Sequence, residues 1–246
     1  YDKFKRLNIK LVYVRNYKEP SLTIARNIGV SIAKGDIILF LDNDVVLHSD
    51  YVEKILEVFK ENRNALGACG WINLEIETRG HIYTRRHHII NTWRMIFCLS
   101  HFKHSEKEKY KLFEYPLVLR RVTPCESLTG SNMAFKRDVF KESHFDENLK
   151  KYAYMEDKLF CYPVQKKYPN SLYITPHAKC IHKVSEEGRM EASFSEHPFS
   201  RACRKYVLTK LFGIKGLLIF GWQTLGLLTL STSRRIWRLI KLKKTL

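Results

Sequence analysis

The chain lacks the features that mark several specialised classes of protein. Its six cysteines form no C-x-x-C pair and no compact framework, which argues against a disulfide scaffold and favours a reducing compartment. No internal repeat or low-complexity tract is present, and no signal peptide opens the sequence. Because 45% of the 246 residues are apolar, the chain can fill a core, and disorder is excluded for most of it. The length fits one large α/β domain or two small ones.

Acidic residues are absent from positions 201–246, where 11 residues are Lys or Arg. The whole chain holds 43 basic and 25 acidic residues, so the first 200 residues carry only a modest positive charge. This imbalance argues against a nucleic-acid surface spread over the whole chain, and we expect no nucleic-acid partner. It predicts a globular domain at residues 1–205 and an apolar, basic helical tail at residues 206–246.

The tail has no uncharged run long enough to span a bilayer comfortably. Residues 216–233 give 18 uncharged residues, at the lower limit for a span, and include three glycines and Gln223. A basic cluster follows, which is typical of the cytoplasmic side of a membrane and attracts anionic lipid. We expect a membrane-embedded or interfacial helix or hairpin at the inner face of the cell membrane. The alternative is a helical pair that packs on the domain.

Strands and helices are predicted to alternate in the first part of the chain. Helical spacing follows Ser21, a candidate N-cap, and again follows Asp50, while short apolar runs predict strands at Lys10–Val14, Ile37–Leu41 and Gly67–Ile76. This order predicts an α/β fold with a mostly parallel, doubly wound sheet flanked by helices. Further along, residues 172–175 and 178–181 are predicted to be short edge strands separated by Pro176.

The triplet Asp42-Asn43-Asp44 follows the apolar run Ile37–Leu41 directly. Two carboxylates at the carboxyl end of a buried strand point into the crevice where open α/β sheets bind ligands. Carboxylate oxygens suit Mg²⁺ or Mn²⁺, which in turn bridge phosphate oxygens. The alternative is an ordinary turn, since Asp and Asn favour loops.

Several separated motifs occur in an order that resembles one enzyme family. They are Thr23-Ile-Ala-Arg-Asn-Ile-Gly29, the segment Ala33 to Asp44, Thr129-Gly-Ser-Asn-Met-Ala-Phe135 with its continuation to Phe140, Phe145-Asp-Glu147, Met155-Glu-Asp157 and Lys179-Cys-Ile-His182. Together they resemble the family-two glycosyltransferases of GT-A fold over roughly residues 11–208. The resemblance implies a Rossmann-like sheet, a nucleotide-diphosphate sugar donor and a divalent cation, Mn²⁺ or Mg²⁺.

The resemblance also implies roles for individual residues. Asp44 matches the direct metal ligand, Asp42 matches the carboxylate near the ribose or the metal, and His182 matches a third ligand or a diphosphate contact, with a structural histidine as the alternative. The other donor-binding candidates are Arg26, Asn27, Lys183 and Arg189, the last two in a basic stretch with Arg201 and Arg204 that folds over the diphosphate in relatives.

On the acceptor side, the resemblance implies that Asp157 accepts the proton of the attacking hydroxyl with inversion at the anomeric carbon. Glu156 would orient or bind the acceptor, and Gly130, Ser131 and Asn132 match the loop beneath the sugars, where a residue without Cβ lets the backbone approach the ligand. The alternative for Glu156 and Asp157 is a solvated acidic pair on a lysine-rich helix. The acceptor is expected to be a lipid-linked or cell-envelope glycan.

One departure from the family pattern concerns the start of the chain. The opening strand and helix of the family have no counterpart before Tyr1, so we expect an upstream segment to precede it. Two other functions remain open at this point. One is a sugar-phosphate nucleotidylyltransferase, whose Gly-rich, Arg-containing loop is not visible, and the other is an inactive GT-A-like protein that binds membranes or nucleic acid.

Overall fold

The computed structural model describes residues 9–17, 19–74, 93, 96–97, 119–183 and 198–243. Its helices are α1 (Leu22–Ile32), α2 (Tyr51–Glu61), α3 (Glu156–Lys167), α4 (Pro198–Phe212) and α5 (Ile214–Lys243). Its strands are β1 (Ile37–Leu39), β2 (Val45–Leu47), β3 (Gly67–Leu74), β4 (Thr123–Pro124), β5 (Met133–Lys136) and β6 (Leu172–His182). A 3₁₀ helix at Arg137–Lys141 follows β5.

The strands form one sheet in the order β1-β5-β3-β6-β2, and β4 pairs with β6. This arrangement confirms the α/β class. Among the described strands, however, only β3 and β6 pair in parallel, while the other four pairings are antiparallel, so the expected mostly parallel pairing is wrong for this part of the chain. Apolar runs predict strands but carry no information on direction, which depends on how the connections run. Here β5 enters between β1 and β3 from the opposite end.

Two predicted strands also differ from the structure. Residues 9–17 join no strand of the sheet, and their apolar side chains, such as Tyr13, are exposed. The two short edge strands predicted around Pro176 form one strand, β6, which is paired on both sides. A bulge lies where the register jumps from Gly70↔Thr175 to Trp71↔Lys179, and it accommodates the proline. A Cβ on Gly70 would collide with the carbonyl of Ala178, so this close approach requires glycine.

The core lies on both faces of the sheet. On one face, α2 buries Tyr51, Ile55 and Val58 against the strands. On the other face, phenylalanine rings from β5, the 3₁₀ helix, the loop after it and α3 pack together, with the Phe145 and Phe160 centroids 4.4 Å apart. The five described cysteines are buried and free, and Cys98 lies outside the described residues. Packing on both faces fixes the position of the sheet edge where the polar loops lie.

The last two helices form a hairpin on the body of the molecule. Cys203 and Val207 of α4 are buried in a cluster with residues from α3 and from the loop before it. α4 runs continuously across residue 205, where the sequence predicts a domain boundary. α5 packs closely on α4, because a Cβ on Gly216 would collide with the backbone of Leu208. Within the part of the chain that the structure describes, none of the helices is both long and apolar enough to cross a bilayer.

Candidate active site

Asp42, Asp44 and His182 come together at one end of β1, β2 and β6. The loop after β1 is held beside β5 because Asp42 N–H donates to the carbonyl of Ser131 at 3.0 Å. Pairing of β2 with β6 then places Val45 opposite His182, next to Asp44. One ligand atom of each of the three side chains lies within 4.8 Å of the others. Sheet pairing therefore creates this cluster from residues 138 positions apart.

The chemistry of this cluster fits a divalent cation. His182 Nε2 and Asp44 Oδ1 are 3.0 Å apart, and both side chains are about one-fifth exposed. Burial raises the pKa of Asp42 above its usual value, although the positive charges of Arg26 and His182 oppose this effect. Two carboxylates and one imidazole are ligands that suit Mn²⁺, whereas Mg²⁺ prefers oxygen ligands alone. The predicted metal residues are thus adjacent and could hold such an ion.

Arg26 links this cluster to the second acidic pair. Its guanidinium is 6% exposed and pairs with Glu156 Oε1, while Nη2 donates to the carbonyl of Gly130 at 2.8 Å and lies 3.7 Å from Asp42 Oδ1. The guanidinium also lies over the ring of Phe145, 5.4 Å from its centroid. A buried charge is tolerated only with such partners. Arg26 thus joins the two acidic clusters, and its predicted contact with the donor stays a prediction.

Glu156 and Asp157 lie at the start of α3 in different environments. Glu156 is 7% exposed, and its Oε2 is buried without a hydrogen-bond partner among the described residues. Burial raises the pKa of Glu156 to about 8, with Arg26 opposing the increase. Asp157 is partly exposed and accepts N–H groups from Gly130 at 3.3 Å and from Lys158 at 2.8 Å. The two carboxyl groups are therefore suited to different roles.

The predicted acceptor loop divides into a site part and a core part. Gly130 contacts the acidic residues so closely that a Cβ there would lie 2.7 Å from Glu156 Oε1. Ser131 is 5% exposed, and its hydroxyl has no partner among the described residues. Asn132 has no exposed surface, and its amide donates to the carbonyl of Gly70 and contacts Cys180 Sγ. This position does not support the predicted acceptor contact of Asn132.

An arch at residues 149–155 positions the acidic pair. Three of its residues have left-handed backbone conformations although none is glycine: Lys151, Ala153 and Met155, with φ values of 54°, 51° and 68°. The hydroxyls of Ser21 and Thr23 donate to the carbonyl of Leu149 and so tie the arch to the start of α1. Ser21 is at the N-cap position of α1, as predicted, but its hydroxyl serves this contact and makes no cap bond. Such strain persists where surrounding contacts enforce it, often at functional sites.

Tyr152 is a site residue that the sequence analysis missed. It lies on the arch, its side chain is 57% exposed, and it makes at least one contact within the described residues. Burial of the hydroxyl raises the pKa of Tyr152, and the negative charges of Asp42 and Asp157 add to the increase. The sequence signal for Tyr152 was an aromatic residue four positions before the acidic pair. Tyrosines are too common for that spacing to identify a site residue.

The remaining predicted residues lie in several places. Asn27 bonds the backbone of Phe145 through both ends of its amide and also bonds Glu147, so its position does not support the predicted donor contact. Lys183 is exposed, and its N–H donates to the carbonyl of Asp44, next to the metal cluster. Arg189 lies outside the described residues. Arg201 and Arg204 belong to α4, where Arg204 is buried over the ring of Tyr154.

Comparison with known proteins identifies the family. A sequence profile described as "Glycosyl transferase family 2" matches residues 1–143, more than half of the chain. No curated protein matches the chain in sequence. Among solved structures, GalNAc-T7 with UDP, GalNAc and Mn²⁺ has a TM-score of 0.52 and 14% identity, covering 76% of this chain and 35% of that chain. TarS of S. aureus in complex with UDP-GlcNAc has a TM-score of 0.50 and 13% identity, covering 91% of this chain and 57% of that chain.

These likenesses carry different weight. At 13% and 14% identity the two solved structures show a shared fold, and this chain spans little more than half of the solved TarS chain, which is residues 1–349, and about a third of the solved GalNAc-T7 chain. The profile match is a statement about sequence, and it covers both the Asp42–Asp44 motif and the loop at Gly130. On this ground the chain belongs to glycosyl transferase family 2.

Proposed function

We propose that the protein is an inverting, metal-dependent glycosyltransferase, which moves a sugar from a nucleotide-diphosphate sugar to a hydroxyl of a lipid-linked or cell-envelope glycan. One observation carries the proposal: Arg26 contacts Asp42 of the metal cluster and Glu156 of the acidic pair at once. A donor at the first cluster and an acceptor at the second would thus meet in one site. Family membership favours a glycosyltransferase over a sugar-phosphate nucleotidylyltransferase. Detection of sugar transfer would exclude the inactive GT-A-like protein.

On the donor side, Asp42, Asp44 and His182 would hold Mn²⁺ or Mg²⁺. Such a cation, when bound, stabilises the negative charge that grows on a departing nucleoside diphosphate. The backbone N–H of Lys183 donates to the carbonyl of Asp44, next to the same cluster. We propose that its exposed ammonium group contacts the diphosphate of the donor.

On the acceptor side, Asp157 is the proton acceptor. It is partly exposed, and two backbone N–H groups fix its orientation, whereas Glu156 is enclosed and paired with Arg26. As the acceptor oxygen bonds to the anomeric carbon, the carbon–phosphate oxygen bond breaks, its electron pair leaves with the nucleoside diphosphate, and the hydroxyl proton passes to Asp157. Glu156, whose pKa is raised by burial, would orient the acceptor indirectly, through its contacts with Arg26 and with the loop at Gly130.

The tail supports a membrane location for the acceptor. Residues 201–246 contain no acidic residue and 11 basic ones, a charge that attracts anionic lipid. We propose that the reaction takes place at the cytoplasmic face of the cell membrane, where such a tail would hold the enzyme close to a lipid-linked substrate.

The test is release of nucleoside diphosphate from a panel of UDP-, GDP- and dTDP-sugars with and without Mn²⁺. Asp44→Asn removes a proposed ligand and should lower the metal-dependent rate about 100-fold, which corresponds to the few kcal/mol that a cation contributes. Asp138→Asn is the matched control, because Asp138 is 76% exposed and pairs only with Lys141 among the described contacts of its side chain. Absence of turnover and of metal-dependent donor binding across the panel would refute the proposal.

A further inference from the structure

One face of α5 is apolar and open to solvent. Its members are between 41% and 78% exposed and, apart from one adjacent pair, recur at intervals of three or four residues: Ile214, Leu217, Leu218, Trp222, Leu225 and Leu228. This spacing aligns them along a single face of the helix, which we call the apolar stripe. It is about 21 Å long, given a rise of about 1.5 Å per residue. Contiguous exposed apolar surface of this kind marks a binding surface.

The opposite face of α5 is already in use. Gly216 is buried against α4, Gln223 is 2% exposed, and Gly226 lies so close to Phe97 that a Cβ would overlap its ring. Gln223 also has a contact among the described residues. The helix is therefore apolar outward and packed inward. A one-sided arrangement of this kind suits a helix that lies in the plane of an interface.

Trp222 is fixed at one edge of the apolar stripe. Its ring stacks on Phe97 with centroids 4.7 Å apart, and its indole N–H donates to the carbonyl of Ile96 at 2.7 Å. The side chain of Ile96 is itself 54% exposed, so this segment extends the apolar surface beside the helix. Tryptophan is the residue most favoured where apolar and polar surroundings meet, since it combines a large ring with an N–H donor.

Charge identifies what covers the apolar stripe. Apart from the first three residues of α4, both helices of the hairpin lie in the acid-free segment 201–246, so a second copy docked on the same face would bring two strongly basic segments together. An anionic bilayer surface instead supplies apolar contact and opposite charge at once. We propose that α5 docks through the apolar stripe in the plane of an anionic lipid surface. This proposal deepens the proposed function and rests on it, because docking on lipid would bring the enzyme to an acceptor in the membrane.

Flotation of the full chain with lipid vesicles tests the proposal. Vesicles of phosphatidylcholine mixed with phosphatidylglycerol should bind the chain, and raised salt or phosphatidylcholine alone should weaken binding. The double variant Leu218→Asn/Leu225→Asn should lower the partition coefficient at least about tenfold, since it removes two of the six apolar side chains that would be buried in lipid. The control is Leu11→Asn/Leu56→Asn, which alters two other exposed leucines, 42% and 47% exposed, away from α5.

A second measurement keeps the test decisive if the double variant folds poorly. Brominated lipid should quench tryptophan fluorescence of the wild-type chain, and Trp222→Phe should remove part of that quenching. The proposal is overturned if wild type binds neither vesicle, if the Leu218/Leu225 variant binds as tightly as wild type, or if light scattering shows a dimer that only this variant abolishes. Donor hydrolysis in solution without vesicles is scored separately, so failure of the glycosyltransferase proposal is distinguishable from failure of this one.

Discussion

Gly130→Ala is the sharpest perturbation of the candidate active site. An added methyl group would lie 2.7 Å from Glu156 Oε1, whereas ordinary contacts to a Cβ begin at 3.4 Å. It would also lie 3.4 Å from Arg26 Nη2, so the carboxylate cannot move toward the guanidinium without further crowding. Glu156 must therefore shift by about 0.7 Å or more in a buried, ion-paired setting.

The shift predicts two measurable effects. Crowding of a packed interior typically costs about 1–3 kcal/mol, so thermal or urea unfolding should show a loss in that range. Displacement of Glu156, and of Asp157 through the Gly130 N–H bond, should lower kcat/KM for sugar transfer about 100-fold, because misplacement of about 1 Å has that effect on reacting groups. Glycine is not needed at this position for a left-handed backbone, so the effect isolates the contact with Glu156.

Two companion variants make the reasoning refutable. Gly29→Ala is the matched control, since a Cβ there meets nothing within 4 Å and alanine is favoured over glycine inside α1 by about 1 kcal/mol. It should keep full activity and gain stability. Shortening the acid in Gly130→Ala/Glu156→Asp should recover part of the lost stability, a coupling that a double-mutant cycle measures. Wild-type stability and kcat/KM in Gly130→Ala would show that Glu156 is not held where the structure places it.

The other predictions concern the acidic pair, the arch and α4. Burial raises the pKa of Glu156 to about 8 in the folded chain, against about 4.5 in the unfolded chain. Between these pH values the folded chain binds one more proton than the unfolded chain, so the free energy of unfolding should fall as pH rises through this range. Urea titrations at several pH values should show this fall, and Glu156→Gln should flatten it. Tyr152→Ala should raise KM for the acceptor about threefold to tenfold with little change in melting temperature, and Tyr17→Ala, 87% exposed, should change neither. Asp146→Asn weakens two hydrogen bonds from α4 and should lower the free energy of unfolding by about 1–3 kcal/mol, a loss that Asp138→Asn should not reproduce.

The local parts of the fold were predictable from sequence, and the pairing was not. Helical periodicity predicted α1 and α2, and the apolar runs predicted β1 and β3, because side-chain spacing reflects local geometry. The direction of β5 and the single long strand β6 depend on contacts between distant segments. Pro176 in the sequence predicts a break between two strands, but the bulge next to Gly70 accommodates it within one strand, and a bulge has little signature in sequence.

The same division applies to the site. The adjacency of Asp42, Asp44 and His182 followed from matching motifs, and the structure confirms that they lie together. The link through Arg26 could not be predicted from sequence, because the same helical spacing is compatible with an arginine in solvent and with one buried over an aromatic ring. Asn132 illustrates the reverse case, since a motif match alone cannot tell a ligand contact from a core bond.

The arch at residues 149–155 has a consequence for which changes the sequence can accept. Its alternating left-handed conformations cost about 1–3 kcal/mol each and are held by bonds to residues 20–23. Exchange of a side chain on the arch, as at the exposed Lys151, leaves that path of the backbone intact. An insertion or deletion of one residue would instead change which residues occupy the left-handed positions and would displace Glu156 and Asp157 from Arg26 and Gly130. Related chains should therefore vary in composition here while keeping the spacing between Leu149 and Glu156 constant.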